Sequence, residues 1–395
     1  MPLVPRTQVA FTFLNDGKEW HGGLNYFRSL FHALGTTPDA GIAPVAFVGM
    51  RTDVARLNLP KDVRVVRDSV LDRKSVKWFL DKLGARMLGV PWLSNQMLRA
   101  QRIEVLSHAG PTGHPALRNI AWIPDFQHMH LPQFFPEKEL QTRTALYRDM
   151  VERSDRIVLS SEAARRDLQK FAPDQISKAR VLRFCALRPN IDSHDLLDLN
   201  ATYGIEGAFF YIPNQFWAHK NHLTAIRALA RIANEHPRVT IVCSGALSDY
   251  RNPDHMGNLQ LELAKLGLET RFRLLGLIPY SNIAQLMLQS EAVINPSRFE
   301  GWSTTVEEAK ALGVPMLLSD IDVHREQCPD GEAEFFDPLN DVALAELMAA
   351  RLRSPRPQME AADHELAAKR HTARSQAFAH EFARIVNELR GEHAA

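Results

Sequence analysis

The sequence predicts an α/β protein built from two successive Rossmann-like halves, and three observations carry that expectation. Short apolar runs alternate with amphipathic stretches through most of the chain, the pattern of parallel strands flanked by helices. The alternation runs through twice, with a polar break between. The chain also has 395 residues, more than one hydrophobic core usually organises.

In the first half, residues 9–14, 44–48, 120–124 and 156–159 read as strands, with residues 137–152 as a helix among them. A second set follows at 209–213, 239–243, 272–275, 292–295 and 315–318. Between the sets, residues 188–200 carry Pro189, Asn190 and several aspartates without apolar periodicity, so this stretch is the expected linker, with the boundary near Asp195. Near the end, Phe378, Phe382, Ile385 and Leu389 recur at helical spacing and predict an amphipathic helix over the last 20 or so residues. Residues 354–358, with two prolines, let the chain leave the second domain before it. The expected domains are 1–195, joined by the helix 376–395, and 196–375.

Composition narrows the function. Acidic and basic residues nearly cancel, leaving a formal net charge of +1, so nothing in the overall balance calls for a nucleic-acid partner. Cys185, Cys243 and Cys328 lie far apart, without metal-ligand spacing and too few for a disulfide framework; a reducing cytoplasm fits them best. The apolar run at 9–14 lacks the charged start and cleavage site of a signal peptide. No stretch approaches the roughly 20 apolar residues of a membrane-spanning helix. Any membrane contact is then peripheral, at the inner face of the cell membrane.

From Asn295 the chain reads NPSRFEGWSTTVEEAKALGVPMLLSD: a strand, a polar turn, a helix and another strand. Ligands of open parallel sheets sit beyond the carboxyl ends of strands, where a helix N-terminus offers free N–H groups to an anion. Gly301, Ser303 and Thr304 are placed to supply those groups. Glu300 and Glu308 put one carboxylate before the helix and one a turn inside it, and carboxylates suit sugar hydroxyls. Spacing alone leaves an alternative open. Thr304 with Glu307, and Thr305 with Glu308, also satisfy a capping box, in which the glutamate only closes a helix end.

Glu300-Gly-Trp-Ser-Thr-Thr-Val-Glu-Glu308 resembles the E-x7-E motif of the family 4 (group 1) retaining glycosyltransferases. Tyr211-Ile-Pro-Asn-Gln-Phe-Trp-Ala-His-Lys220-Asn-His222 is similar to that family's strand, loop and helix around a Lys-Asn pair. Leu274-Leu-Gly-Leu-Ile-Pro279 resembles its nucleobase turn, and His21-Gly-Gly-Leu24 its N-terminal glycine loop. The four segments occur in the family's order over some 300 residues.

The resemblance implies the GT-B fold, two Rossmann-like domains facing each other across a cleft, with a C-terminal helix crossing back to the N-terminal domain. It implies a donor site in the second domain formed by Asn214, Gln215, Lys220, Gly245, Leu277, Ile278, Arg298, Glu300, Gly301, Trp302, Ser303, Thr304, Thr305 and Glu308, with Gly22 and Gly23 approaching the phosphates from the first. Lys220 meets the diphosphate, Glu300 the donor sugar and Glu308 the ribose. The implied reaction is transfer, with retention, of a hexose or deoxyhexose from a GDP-, UDP- or dTDP-linked donor to a glycan or lipid-linked saccharide, in surface polysaccharide synthesis. It needs no metal and no cofactor.

Two positions depart from the family pattern. Gln215 stands where an arginine is usual, and Arg298 is the nearest substitute. Pro124 stands where many relatives have a histidine facing the donor sugar, which leaves Asp125 and His128 as the polar candidates for the reacting centre. His128 and His130 also form an H-x-H pair, without a third ligand at metal-binding spacing. Asp320-Ile-Asp322 imitates the D-x-D of metal-dependent transferases and is taken as chance. Other functions for the same scaffold are a sugar-nucleotide-binding sensor without turnover, a nucleotide-sugar epimerase, or a phosphorylase; a phosphorylase needs a cofactor lysine or extra anion site that the sequence does not supply.

In the first half, residues 73–102 mix Arg73, Lys74, Lys77, Lys82, Arg86, Arg99 and Arg102 with Trp78, Phe79, Met87, Leu88, Trp92 and Leu93. Such a stretch can rest on an anionic bilayer that carries a lipid-linked acceptor. The commoner arrangement, and the one expected here, is one or two helices with solvated basic faces and apolar sides in the core.

Overall fold

A computed structural model describes residues 6–13, 21–189, 191, 196–329, 331–355 and 361–394. Leu14 of the first expected strand, Asn190 and Asp195 of the expected linker, and residues 356–358 before the last helix lie outside that description. The chain divides into two compact units. Unit 1 comprises Met1–Phe126, Gln141–Leu187 and Thr372–Ala395, and unit 2 comprises Gln127–Leu140 and Arg188–His371.

Unit 1 is built on seven parallel strands: β1 (Thr7–Phe13), β2 (Ile42–Val48), β3 (Arg64–Arg67), β4 (Val105–Ser107), β5 (Arg118–Ile123), β6 (Arg156–Leu159) and β7 (Ala179–Val181). Their order across the sheet is β3-β2-β1-β4-β5-β6-β7. Unit 2 repeats the plan with β8 (Phe209–Ile212), β9 (Thr240–Cys243), β10 (Phe272–Leu274), β11 (Val293–Asn295), β12 (Met316–Ser319) and β13 (Glu334–Phe336), ordered β10-β9-β8-β11-β12-β13. Parallel strands covered by helices on both faces read as continuous apolar runs. β8 shows why: Phe210 and Ile212 pack into one core cluster with Ile226 and Leu229, while Phe209 and Tyr211 pack into another with Val306 and Leu312.

The last helix, Ala361–Ala394, is longer than its apolar spacing suggests. Phe378, Phe382, Ile385 and Leu389 are all buried in unit 1. Phe382 lies 5.9 Å from Phe11 and Phe378 6.0 Å from Tyr26, ring to ring. Arg180 pairs with Glu388 at 2.7 Å and Arg390 with Glu104 at 3.1 Å, pinning the helix along its outer edge.

Three expectations change. Gly22 and Gly23 form the first turn of the helix His21–Thr36 and not a loop. Residues 127–140 group with unit 2, although in sequence they lie between β5 and β6. The third change is on the surface of unit 1. Residues 73–102 form the helices Val76–Leu88 and Trp92–Ala100, but on the first of them the apolar side faces solvent: Val76, Phe79, Leu80, Leu83 and Met87 are exposed.

Candidate functional site

In the sheet of unit 2 the strand order reverses at β8 and β11, and loops leaving neighbouring strands in opposite directions open a crevice at their carboxyl ends. The loop after β8 carries Asn214, Gln215 and Lys220. The loop after β11 carries Arg298, Glu300, Gly301 and Trp302, and leads into the helix Thr304–Leu312.

Lys220 ends a single 3-10 turn, Ala218–Lys220, and the bonds around it are numerous. The Ala218 N–H donates to Asp249 Oδ2 at 3.0 Å. Asn221, in the left-handed region at φ 60°, donates through Nδ2 to the carbonyls of Pro296 (3.0 Å) and Pro338 (2.7 Å). The Arg298 N–H donates to the His219 carbonyl at 2.8 Å. His222 stacks on Phe216 with centroids 4.0 Å apart. Held from both sides in this way, Lys220 points its ammonium at Glu300, Nζ to Oε1 2.7 Å, with both side chains largely buried. Gln215 is half-buried, and its carbonyl accepts the Trp217 N–H at 2.9 Å.

Burial by itself would raise the Glu300 carboxyl, but the Lys220 ammonium more than cancels this and holds it down at about 2. Glu308 is the opposite case: burial pushes it up to about 7, against a small lowering from the Tyr280 hydroxyl, which donates to Oε1 at 2.9 Å. One carboxylate is therefore fixed in its charged form, and the other sits where binding can change its protonation. His219 and His222 are kept neutral by burial, each down at about 3.

A buried polar network joins the two loops to the helix. Asn214 Nδ2 donates to Asn295 Oδ1 (3.1 Å), Asn295 Nδ2 to Ser303 Oγ (2.8 Å), and Thr305 Oγ1 to Asn214 Oδ1 (3.0 Å). The helix is capped by Ser303, whose Oγ accepts from Val306 N–H. The cap thus precedes the threonines of both candidate capping boxes, while Glu307 accepts from Gln327 Nε2 at 3.1 Å and Glu308 from Tyr280. The side chains of Asn214, Ser303 and Thr305 are committed to this network, which leaves their backbone groups as what they can offer a ligand. The N–H groups of Thr304 and Thr305 precede the first intrahelical bond, Glu307 N–H to Ser303 carbonyl, and remain available to an anion.

Gly245 follows β9 at φ 140°, and a Cβ there would lie 2.6 Å from the Asn214 carbonyl oxygen. What passes close to this glycine is the protein's own backbone, the start of the Lys220 loop. Leu277 is exposed, and Ile278 packs against the core beneath the helix Tyr280–Gln289.

The remaining candidates are distributed differently. Asp125 belongs to unit 1 and lies 3.8 Å from Arg143 Nη1. His128 belongs to unit 2, buried in the short helix Gln127–His130. That helix and the residues after it lie against the donor loops: His130 packs on Phe299 (5.1 Å), Arg298 over Phe134 (5.7 Å) and Arg251 over Phe135 (4.2 Å). Arg251 also pairs with Glu139 at 2.9 Å and lies 5.0 Å from the Trp217 ring. Its guanidinium is nearly buried, so its loss removes the Glu139 ion pair and opens the ring sandwich. Arg251→Ala is expected to speed amide hydrogen exchange across residues 127–140 by ten- to a hundredfold, the effect of about 1–3 kcal/mol; unchanged exchange would mean that other contacts hold the segment.

Sequence reading missed Tyr280, Gln327 and His324. His324 is fully buried, bonds the Ser319 carbonyl through Nδ1 at 2.9 Å, and is electrostatically coupled to Glu300. The only signal for it was its place two residues after Asp320-Ile-Asp322. In that stretch Asp320 is taken up by Arg325, with bonds of 2.7 and 2.8 Å. Among the described residues no group of three His, Cys, Asp or Glu is placed to hold a metal ion.

The two units together define the GT-B class of fold. Residues 206–369 match the family model of the glycosyl transferases group 1, and this stretch includes Lys220, Glu300 and Glu308. No curated protein sequence matches the chain. Among solved structures, the chain resembles sucrose-phosphate synthase of Thermosynechococcus elongatus (TM-score 0.67, 16% identity, 98% of this chain and 100% of that one). It also resembles HepE of Anabaena, solved with UDP and glucose (TM-score 0.65, 16% identity, 99% and 100%). A third is WaaG, a glycosyltransferase involved in lipopolysaccharide biosynthesis (TM-score 0.58, 15% identity, 94% and 95%).

Proposed function

We propose that the chain is a retaining, metal-independent glycosyltransferase whose donor, a hexose or deoxyhexose on a nucleoside diphosphate, binds in unit 2. The observation that carries this reading is the Lys220–Glu300 pair, 2.7 Å apart, at the strand reversal and in the loop that leads to a helix N-terminus. Lys220 and the N–H groups of Thr304 and Thr305 suit a diphosphate. Glu300, permanently charged, suits donor sugar hydroxyls. The group 1 match across 206–369 and the fold shared with HepE, crystallised with UDP-glucose as well, support the same assignment.

In the reaction, the bond from the anomeric carbon to the phosphate oxygen breaks, and a bond to the acceptor hydroxyl oxygen forms on the same face. The acceptor's proton passes to the departing phosphate, so no protein nucleophile is required. Catalysis comes from positioning and from neutralising the charge that develops on the leaving diphosphate. His128, on the segment against the donor loops, and Asp125 are the proposed contacts for the reacting centre. The acceptor is a glycan or lipid-linked saccharide, and the setting is surface polysaccharide synthesis in the cytoplasm. Incubation with UDP-, GDP- and dTDP-sugars tests the proposal, with nucleotide release and the product's anomeric configuration followed by NMR. Retention with one donor class is expected; an inverted product, or epimerised donor without transfer, contradicts it.

Glu308 supplies a finer prediction. Ribose hydroxyls donate to a carboxylate, so nucleotide binding favours the charged form and lowers a group that rests at about 7 in the free protein. Binding near neutral pH is then expected to release a fraction of a proton and to tighten as pH rises towards and through 7. Calorimetry in two buffers of different ionisation enthalpy measures the release, and Glu308→Gln should abolish it. Release that persists in Glu308→Gln assigns the proton elsewhere.

A further inference from the structure

The helix Val76–Leu88 is amphipathic in the reverse sense, with its apolar stripe turned away from the protein. Val76 (77% exposed), Phe79 (62%), Leu80, Leu83 and Met87 (74%) follow the i, i+3, i+4, i+7, i+11 spacing of one helix face. The opposite face is the one that docks. There Asp81, the only acidic residue of the helix, is buried and accepts from Ser94 N–H (3.0 Å) and Ser94 Oγ (2.6 Å) of the next helix. Ser75 caps the first turn through Trp78 N–H, and Gly89 ends the helix at φ 70°, so orientation and ends are both fixed.

Basic residues flank the stripe. At 100° per residue, Lys77 falls on one side and Lys82 with Arg86 on the other, all exposed, with Arg73 and Lys74 preceding the helix. Lys77 also reaches Asp68 at 3.3 Å. Trp92, 64% exposed, opens the following helix, which ends near the exposed Arg99 and Arg102. Charge selects among the surfaces that could cover such a stripe. A second copy of the same helix would bring Lys82 and Arg86 against like charge. A negatively charged lipid surface accepts the apolar side chains at the depth of its acyl boundary and the cations among its headgroups.

We propose that this helix is an interfacial anchor that lays unit 1 on an anionic membrane. Because it stands on residues of unit 1, none of them part of the donor site in unit 2, it does not depend on the donor chemistry proposed above. Co-sedimentation with phosphatidylcholine vesicles, with and without phosphatidylglycerol, tests it. The full chain is expected to pellet with the anionic vesicles only, and to be released by salt.

Two variants, each checked for an unchanged circular dichroism spectrum, separate the contributions. Phe79→Ser with Leu83→Ser should lose binding. Lys82→Glu with Arg86→Glu should weaken it by at least about thirtyfold, since each basic residue near an anionic surface contributes about 1 kcal/mol, or about fivefold. Lys265→Glu, a basic residue exposed on unit 2, should change nothing. Should either variant fail to fold, the other still decides. Failure to pellet, or binding that both variants retain, overturns the proposal. A dimer in sedimentation equilibrium that Phe79→Ser with Leu83→Ser dissociates also overturns it, by giving the stripe to a second copy.

Discussion

Replacing Lys220 with alanine is expected to lower the rate of sugar transfer by about 100- to 1,000-fold, the usual loss when one preorganised donor to developing charge is removed. The geometry sets the size of the effect. Lys220 is fixed through Ala218, Asn221 and the Arg298 N–H, so its ammonium needs little rearrangement to reach a diphosphate beside Glu300. Its removal also leaves the buried Glu300 carboxylate without its cation, so both binding of the anionic donor and stability should fall. Steady-state kinetics separates the two: a loss mainly in kcat assigns Lys220 to the leaving group, whereas a loss confined to KM assigns it to donor binding alone. A transfer rate within a few-fold of the parent would remove Lys220 from the mechanism.

The second large effect concerns folding. Gly245→Ala places a Cβ 2.6 Å from the Asn214 carbonyl oxygen and 2.9 Å from Gln215 Cα, on a backbone at φ 140° that side chains rarely adopt. The obstruction is backbone and cannot swing aside. Strain of about 1–3 kcal/mol for the dihedral, with further cost for displacing the loop, should lower the melting temperature by roughly 5–12 °C. The displaced loop is the one that carries Lys220, so nucleotide binding should weaken as well. A melting temperature within a degree of the parent would mean that the loop yields freely and is not a fixed part of the site.

Much of unit 2 was legible in the sequence because its central strands, β8, β11 and β12, are buried along their whole length. Phe209–Ile212 is a continuous apolar run and Val293–Asn295 an apolar pair closed by a buried asparagine, and their boundaries in the sequence fall within a residue of the strands. The strands that escaped notice, β3 with Arg64 and Arg67, β4, β7 and β13, have only three or four residues each; pairing with a neighbour defines them, and no periodicity can. At the site, the loop lysine and the two spaced glutamates were visible as residue types. Their environments were not. Tyr280 reaches Glu308 across 28 residues and Arg251 reaches Glu139 across 112, distances over which local pattern carries no information. The same holds for the helix Val76–Leu88, where spacing gave the amphipathic pattern but not which face would be covered.

The central claim is that the loops after β8 and β11 form a nucleoside diphosphate site held by Lys220 and Glu308. Calorimetric titration of the purified protein with UDP, GDP, dTDP and ADP, repeated on Lys220→Ala and Glu308→Ala, tests it most directly. Selective binding of one nucleotide, weakened about tenfold or more by each substitution, is the predicted result. Binding of none of the four, or binding indifferent to both substitutions, would contradict it.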